Sequence, residues 1–251
     1  MSEVTRAAAL AEVVRLAAVL GVEPAEVAYL EDLDPGTVRS LCERTIDVLH
    51  DSGAEGFRRI ATAARVIPAP LAASVAERAL GPVSCALIAG AVDSGKAVDI
   101  ARRLRPEFLA AVAVHADPRR IGELIGGLPQ ERIVRAAVVL VEEGHHVTVA
   151  RLAASLHLTV VHAVVDEIGD PDILRTAFFL DDAAHLDGIA AGLADERLVG
   201  IVRAARDAEL WMEGVALVAR LSDAQRGRVG ALVDVHEPSL RGELAARGLH
   251  L

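Results

Sequence analysis

Histidines and carboxylates clustered around one glycine are the first residues of this chain whose types could do chemistry. Glu142, His145 and His146 surround Gly144, and His115 precedes them by about one repeat of the pattern described below. Imidazole and carboxylate groups bind zinc, nickel or iron, so these four side chains form a candidate metal site. The alternative is a solvated helix end, where a histidine complements the helix dipole.

Two further pairs could move a proton. His162 and Asp166 are four residues apart, and Asp182 and His185 are three apart, so each pair lies on one face of a helix. A carboxylate at that spacing can orient a histidine for acid–base work, which makes His162, Asp166 and His185 candidate catalytic residues. Ordinary pairs within a helix, with Asp182 as a helix N-cap, explain the same spacing without catalysis.

The stretch Gly90–Ala97 is close to a phosphate-binding loop and contains Lys96, the only lysine of the chain. Ala97 stands where a Ser or Thr hydroxyl would bind magnesium, and no strand is predicted before the loop. A glycine-capped helix end followed by a new helix explains the stretch without a nucleotide. The sequence also lacks a Ser/Cys-His-acid arrangement and a Cys-x-x-Cys pair in suitable context. We therefore predict no cofactor.

Bulky side chains are scarce, with six aromatic residues among 251. Phe178, Phe179, Trp211 and Met212 concentrate that bulk in two places of an otherwise aliphatic chain. These four residues are candidates for lining a pocket that binds an apolar ligand. The alternative is that they fill the core where the packing is irregular.

A repeated phrase is expected to position all of these residues: an apolar helix ending in Leu, four linker residues, and a second apolar helix. Its copies run from Ile100 to Leu104, Ile121 to Leu128, Val149 to Leu156, Leu186 to Leu193, and Val215 to Leu221. The leucines are 24, 28, 37 and 28 residues apart, within the range of stacked two-helix units. The phrase predicts an all-α solenoid of short helical hairpins over residues 81–251, with residues 1–80 as an N-terminal cap.

The dipeptide Asp-Pro predicts three helix starts, at Asp34, Asp117 and Asp170. In each, the aspartate would cap the helix and the proline would occupy its first turn. Glycine and proline predict interruptions, among them one at Ser52–Gly56 and one at Gly81-Pro82.

The stretches Ala116–Leu140 (ADPRRIGELIGGLPQERIVRAAVVL) and Leu180–Val202 (LDDAAHLDGIAAGLADERLVGIV) resemble helical repeats of the intracellular N-terminal domain of magnesium transporters. More loosely, they resemble HEAT and armadillo repeats. The resemblance covers roughly residues 85–232 and implies a right-handed superhelix. In that family the domain senses magnesium through acidic residues beside a membrane channel. No channel segment is evident in this chain, so transport is not predicted.

Composition excludes several classes of function. The formal net charge is −10 and the arginines form no basic stripe, which disfavours binding to DNA or RNA. The first apolar stretch is interrupted by Glu12 and Arg15, unlike a secretory signal, and the longest apolar runs are shorter than a membrane span. Cys42 and Cys85 lie in apolar helical patterns, typical of free thiols in a reducing compartment. We expect a cytoplasmic protein without a transmembrane segment.

These observations favour a binding protein over an enzyme. We expect a non-enzymatic scaffold whose concave surface binds a protein partner or a second copy of the chain. The alternative is that a cavity between helices binds or transforms a small hydrophobic molecule such as a lipid, a polyketide or a terpenoid.

Overall fold

The structure is a computed structural model that describes residues 3–180 and 182–246. Helices are packed against one another throughout these residues, and no strand occurs among them, which confirms the all-α prediction. The chain forms two compact units, Met1–Thr148 and Val149–Leu251. The expected cap, residues 1–80, lies within the first unit.

Helices follow one another with short connections. The first unit contains α1 (Glu3–Leu20), a 3-10 helix (Pro24–Asp32), α2 (Pro35–Val66), α3 (Ala69–Val75), a π-helical turn (Ala76–Leu80), α4 (Gly81–Ala89), α5 (Ser94–Ala101), α6 (Pro106–His115), α7 (Pro118–Gly126) and α8 (Gln130–Glu142). Helix α9 (His146–Ala153) crosses the boundary between the units. The second unit continues with α10 (Leu158–Glu167), α11 (Asp170–Phe178), α12 (Ala183–Gly192), α13 (Asp195–Asp207), α14 (Trp211–Arg220), α15 (Asp223–His236) and α16 (Pro238–Ala246).

Alternate helices pack against each other in both units. In the first unit, α4 packs against α6 and α6 against α8, while α3 packs against α5 and α5 against α7. In the second unit, α11 packs against α13 and α13 against α15, while α10 packs against α12. Aliphatic side chains at helical spacing allow these close approaches. The first unit therefore contains successive hairpins whose first helices pack together and whose second helices pack together. In the second unit this pattern is partial, because α14 packs against α11 and α13.

In all five leucine phrases a helix precedes the leucine and another helix follows it, as predicted. The linker is shorter than predicted, because the second helix begins two residues after the leucine and the last three of the four expected linker residues are already helical. The long spacing between Leu156 and Leu193 has a specific cause. Three helices, α10 to α12, occupy that interval, where the other intervals hold two. The extra helix makes Ile168, at the end of α10, a further residue in the position of a phrase leucine, which the sequence pattern missed.

Arginines on second helices join successive hairpins. Arg132 donates hydrogen bonds to the carbonyls of Arg102 and Leu104, just after α5. Arg197 donates to the carbonyls of Val165, at 2.9 Å, and Ile168, at the end of α10.

Arg228 repeats the arrangement one hairpin later, with bonds of 3.1 and 2.7 Å to the carbonyls of Ala190 and Leu193. The last carbonyls of a helix lack partners within it, and a cation is favourable there. We call these three contacts, made by Arg132, Arg197 and Arg228, the arginine–carbonyl bridges.

The three helix starts predicted from Asp-Pro are confirmed, and in two of them the aspartate caps the helix as predicted. The side chain of Asp34 accepts a hydrogen bond from the backbone N–H of Thr37, and that of Asp117 accepts one from Arg119. Only the predicted capping role of Asp170 is wrong, because Gly169 is the N-cap and Asp170 is the first helical residue. Asp170 instead binds the Arg197 guanidinium at 3.0 Å.

The predicted break at Ser52–Gly56 is also wrong, because α2 continues through it as one 32-residue helix. No proline occurs there, and a glycine alone costs a helix only about 1 kcal/mol. At Gly81-Pro82 the helical backbone changes from a π-helical turn to α4 without a connecting loop, and Gly81 adopts a φ of +74°. Only glycine adopts that left-handed conformation without strain.

Candidate functional site

An apolar cavity in the second unit is the clearest candidate for a binding site among the described residues. Its volume is about 100 Å³, and its walls come from α11, α12, α13, α14 and one residue of α15. Every lining residue has an aliphatic side chain except Trp211 and Gly214. A molecule in this cavity would meet no ionisable group, so the cavity favours an uncharged occupant and offers no acid or base for its transformation.

The predicted ligand-binding residues separate into two places. Trp211 lines the cavity, whereas Phe178, Phe179 and Met212 are not part of its wall. Phe178 is buried, and its ring contacts that of Phe179 edge to face at a centroid distance of 5.1 Å. This T-shaped geometry is a stabilising arrangement for aromatic rings within a core.

The candidate catalytic residues do not converge on the cavity. The His162 ring lies between α10 and α12, with Nε2 at 3.1 Å from the carbonyl of Ile189, while Asp166 is exposed. Asp182 caps α12, accepting hydrogen bonds from the N–H groups of Ala184 and His185, as the N-cap alternative predicted.

The Nε2 atom of His185 is buried and has no hydrogen-bond partner. It does not line the cavity. The structure thus places His162 in a helix–helix contact and gives His185 no acidic partner through Asp182, whose carboxylate is used by the backbone.

The candidate metal ligands lie at a helix end. Helix α8 stops before Gly144, whose φ is +80°, and the backbone N–H of His145 donates to the carbonyl of Leu140 at 2.8 Å. These are features of a glycine-capped helix end. His145 Nε2 is 3.8 Å from a carboxylate oxygen of Glu143. Across the described residues, no three His, Cys, Asp or Glu side chains are arranged to hold a metal ion.

The stretch that resembles a phosphate-binding loop connects two helices. Asp93 caps α5 by accepting a hydrogen bond from the backbone N–H of Lys96. The ammonium group of Lys96 donates to the carbonyl of Ile67, at 2.6 Å, just after α2 ends. Lys96 therefore binds a helix C-terminus of its own chain, the position in which a cation is favourable.

Neither cysteine is an activated nucleophile. Cys42 is fully buried between α1 and α2, in a cluster with Leu16 and Ile46, and Cys85 is half-buried. Burial raises the pKa of both thiols from 9.0 to about 11. The thiolate is the reactive form, so both groups are unreactive near neutral pH.

Acidic groups in the first unit are paired with arginines. The buried carboxylate of Asp117 binds Arg119 at 2.7 Å, and both Arg119 and Arg120 also bind Asp47 on α2. The hydrogen bond from Arg120 is the main cause that lowers the pKa of Asp47. These ion pairs join α2 to α7. They give Asp47 and Asp117 a structural role, which explains the lowered pKa of Asp47 without catalysis.

Exposed large apolar side chains are concentrated near the N-terminus. Of the fifteen among the described residues, thirteen lie between Leu10 and Val83, and the others are Leu158 and Val235. One helical stretch, Ala69–Ala89, is by length and composition able to cross a membrane, and 22% of its apolar window is buried inside the protein. A core helix of a soluble protein passes the same length and composition criteria, but such a helix is mostly buried.

In comparisons with known proteins, no family model, curated protein or solved structure matches this chain.

The sequence analysis missed the three arginines that make the arginine–carbonyl bridges. A signal was present, because the four residues after the phrase leucine read Pro-Gln-Glu-Arg at the start of α8 and Ala-Asp-Glu-Arg at the start of α13. The arginine at the fourth position is Arg132 in one copy and Arg197 in the other, and both perform the same contact. Only the hydrogen bonds to a preceding hairpin show what this position does.

Proposed function

We propose that this chain is a non-enzymatic helical-repeat protein that binds a protein partner on a concave surface formed by successive hairpins of a solenoid. The observation that carries the proposal is the packing of alternate helices, which runs through α3 to α8 in the first unit and through α10 to α13 and α15 in the second. Repeated hairpins of this kind present matching positions at regular intervals, which suits an extended partner. The arginine–carbonyl bridges support a repeated geometry, because three hairpin junctions use the same contact.

The candidate residues for chemistry support a binding role over catalysis. His162 and Lys96 each bind a backbone carbonyl, and Asp182 caps a helix. The formal net charge of −10 favours a partner that carries positive charge. The proposed partner is therefore a protein with a basic surface or segment.

Native mass spectrometry of the protein purified from its own host tests this function. The expected spectrum contains the 26.3 kDa chain together with a protein-sized additional mass, and high salt releases that mass. A spectrum that contains only the free chain, or the chain with a small molecule, would contradict the proposed function. Turnover of a substrate that disappears on His162→Ala would contradict it as well.

A second candidate function is suggested by the cavity of the second unit. We infer that it accommodates a small uncharged hydrocarbon group, because its lining is aliphatic around a single tryptophan. A cavity of 150 Å³ with such a lining binds benzene, and sites for drug-sized ligands exceed about 300 Å³. At about 100 Å³, the cavity suits a group of a few carbon atoms or one end of an alkyl chain. A whole polyketide or terpenoid is too large for it.

Titration with 1-hexanol, followed by the fluorescence of Trp211, tests the second candidate. A saturable change is expected in the native protein and is expected to be lost in Ala177→Leu, which places three more carbon atoms at the cavity wall. Ala191→Leu, at an exposed position of α12, is the matched control. Equal responses from the two variants would show that the cavity is not the binding site.

A further inference from the structure

The helical stretch formed by α3, the π-helical turn and α4 has exposed residues, on both sides of Gly81, that the proposed function does not use. Leu71, Val75 and Val83 are 56%, 41% and 51% exposed, and Arg78 and Ala79 are exposed between them. The opposite face is buried, with Ala73 and Ala76 packed in a cluster with Ala101, Leu104 and Phe108. We call the exposed residues Leu71, Val75, Arg78, Ala79 and Val83 the α3–α4 stripe.

The charge around this stripe is opposite to that of the whole protein. Residues 55–92 contain four arginines and two glutamates, a net charge of +2 in a chain of net charge −10, and one of the arginines, Arg59, pairs with Glu55. The other glutamate, Glu77, is turned to the protein, where its carboxylate accepts the backbone N–H of Arg105 at 2.7 Å. Arg65 and Arg78 are exposed, as is Val66, which is 84% exposed at the end of α2.

A membrane-spanning role for this helix does not fit its contacts. Glu77 and Arg78 lie near the middle of Ala69–Ala89, where a span would place both in the hydrocarbon. Glu77 is also bound to Arg105, and Ala73 and Ala76 are buried against other helices of the first unit. An apolar face flanked by arginines is instead typical of a helix that lies in the interface of a membrane.

We propose that the α3–α4 stripe binds the surface of a membrane containing anionic lipids. Leu71 and Val75, one helical turn apart, enter the boundary between headgroups and acyl chains, and Arg65 and Arg78 lie at the level of the lipid phosphates. The exposed arginines beside the stripe favour an anionic bilayer, because cationic side chains are attracted to a negatively charged membrane surface. The positive mean hydropathy of the chain, +0.38, is consistent with an apolar surface of this kind.

Co-sedimentation of the full chain with vesicles tests the proposal. Binding is expected with vesicles of phosphatidylcholine and phosphatidylglycerol, and little binding with phosphatidylcholine alone. High salt should weaken the binding, because exposed charges are screened. Arg65→Gln/Arg78→Gln should bind more weakly by about 25-fold, because each arginine near an anionic surface contributes about fivefold.

A pair of double variants separates insertion from a general change of charge. Leu71→Glu/Val75→Glu is expected to abolish vesicle binding. Val48→Glu/Val235→Glu is the matched control, since both residues are exposed, lie outside the stripe and introduce the same charge. Circular dichroism establishes that both variants remain helical.

Three results would overturn the proposal. The first is that the native chain fails to sediment with anionic vesicles at low salt. The second is that Leu71→Glu/Val75→Glu binds vesicles as well as the control does. The third is a native chain that is dimeric, does not bind vesicles and becomes monomeric in Leu71→Glu/Val75→Glu, which would make the stripe an interface between two copies.

Discussion

Replacing Arg197 by methionine should destabilise the second unit by about 2–3 kcal/mol. The guanidinium donates to the carbonyls of Val165 and Ile168 and pairs with Asp170 at 3.0 Å. A hydrogen bond from a charged group contributes about 1.5–3 kcal/mol, and the 31% exposure of the Arg197 side chain places each bond at or below the lower end. Methionine keeps the apolar stem of the side chain, so the loss reports mainly the hydrogen bonds.

Urea unfolding followed by the fluorescence of Trp211, the only tryptophan, measures this change in the unit that contains it. Arg175→Met is the matched control. Its guanidinium pairs with Asp172, three residues away on the same helix, and such an exposed pair contributes about 0.5 kcal/mol or less. If Arg197→Met and Arg175→Met shifted the unfolding midpoint equally, the structural importance of the arginine–carbonyl bridges would be refuted.

Three more predictions concern a glycine, an acid and the thiols. Gly192→Ala should destabilise the protein by about 1–3 kcal/mol, because the added Cβ would lie 2.2 Å from Cε1 of His162. In a double-mutant cycle, His162→Ala should suppress part of that loss. Simple additivity of the two changes would contradict this contact. The pKa of Glu77 is lowered from 4.5, mainly by the backbone N–H of Arg105. The contribution of the Glu77 carboxylate to stability is therefore complete above pH 4.5 and is lost as the pH falls through the lower folded-state pKa. The stability difference between the native chain and Glu77→Gln should shrink in acid. A constant difference between pH 7 and pH 3 (about the range of carboxylate titration) would disprove this prediction. Cys42 and Cys85 should resist iodoacetamide in the native protein until the pH approaches their raised pKa of about 11; rapid labelling near neutral pH would contradict the burial of their thiols.

Helix starts and ends were predictable where they depend on residues close in the sequence. The leucine phrases identified ten helix ends and starts, and Asp34 and Asp117 cap helices through contacts with the next few residues. Asp170 begins its helix but does not cap it, and its carboxylate instead pairs with Arg197, which is distant in the sequence. The continuity of α2 through Ser52–Gly56 was missed because a glycine weakens a helix without stopping it.

The candidate site was less predictable, since it depends on which helices meet. Trp211 was singled out as a bulky residue and lies at the cavity wall, but the seventeen other residues of that wall are ordinary aliphatic positions and glycine, which carry no distinguishing pattern. Lys96 and His162 have chemically suggestive neighbours in the sequence, yet both bind carbonyls that are 27 to 29 residues away. These contacts depend on which helices pack together, and a short sequence motif does not reveal that packing.

Site-specific photo-cross-linking in the native host tests the central claim most directly, namely that successive hairpins bind one protein partner. One panel carries the cross-linker at exposed positions of α10 and α12, Thr159 and Ala191, and the other at Glu196 on α13 and Asp234 on α15. The account predicts that a single partner is captured from both positions of one panel and not from the other. Capture of no protein from either panel, or of unrelated proteins from the two helices of each panel, would contradict it.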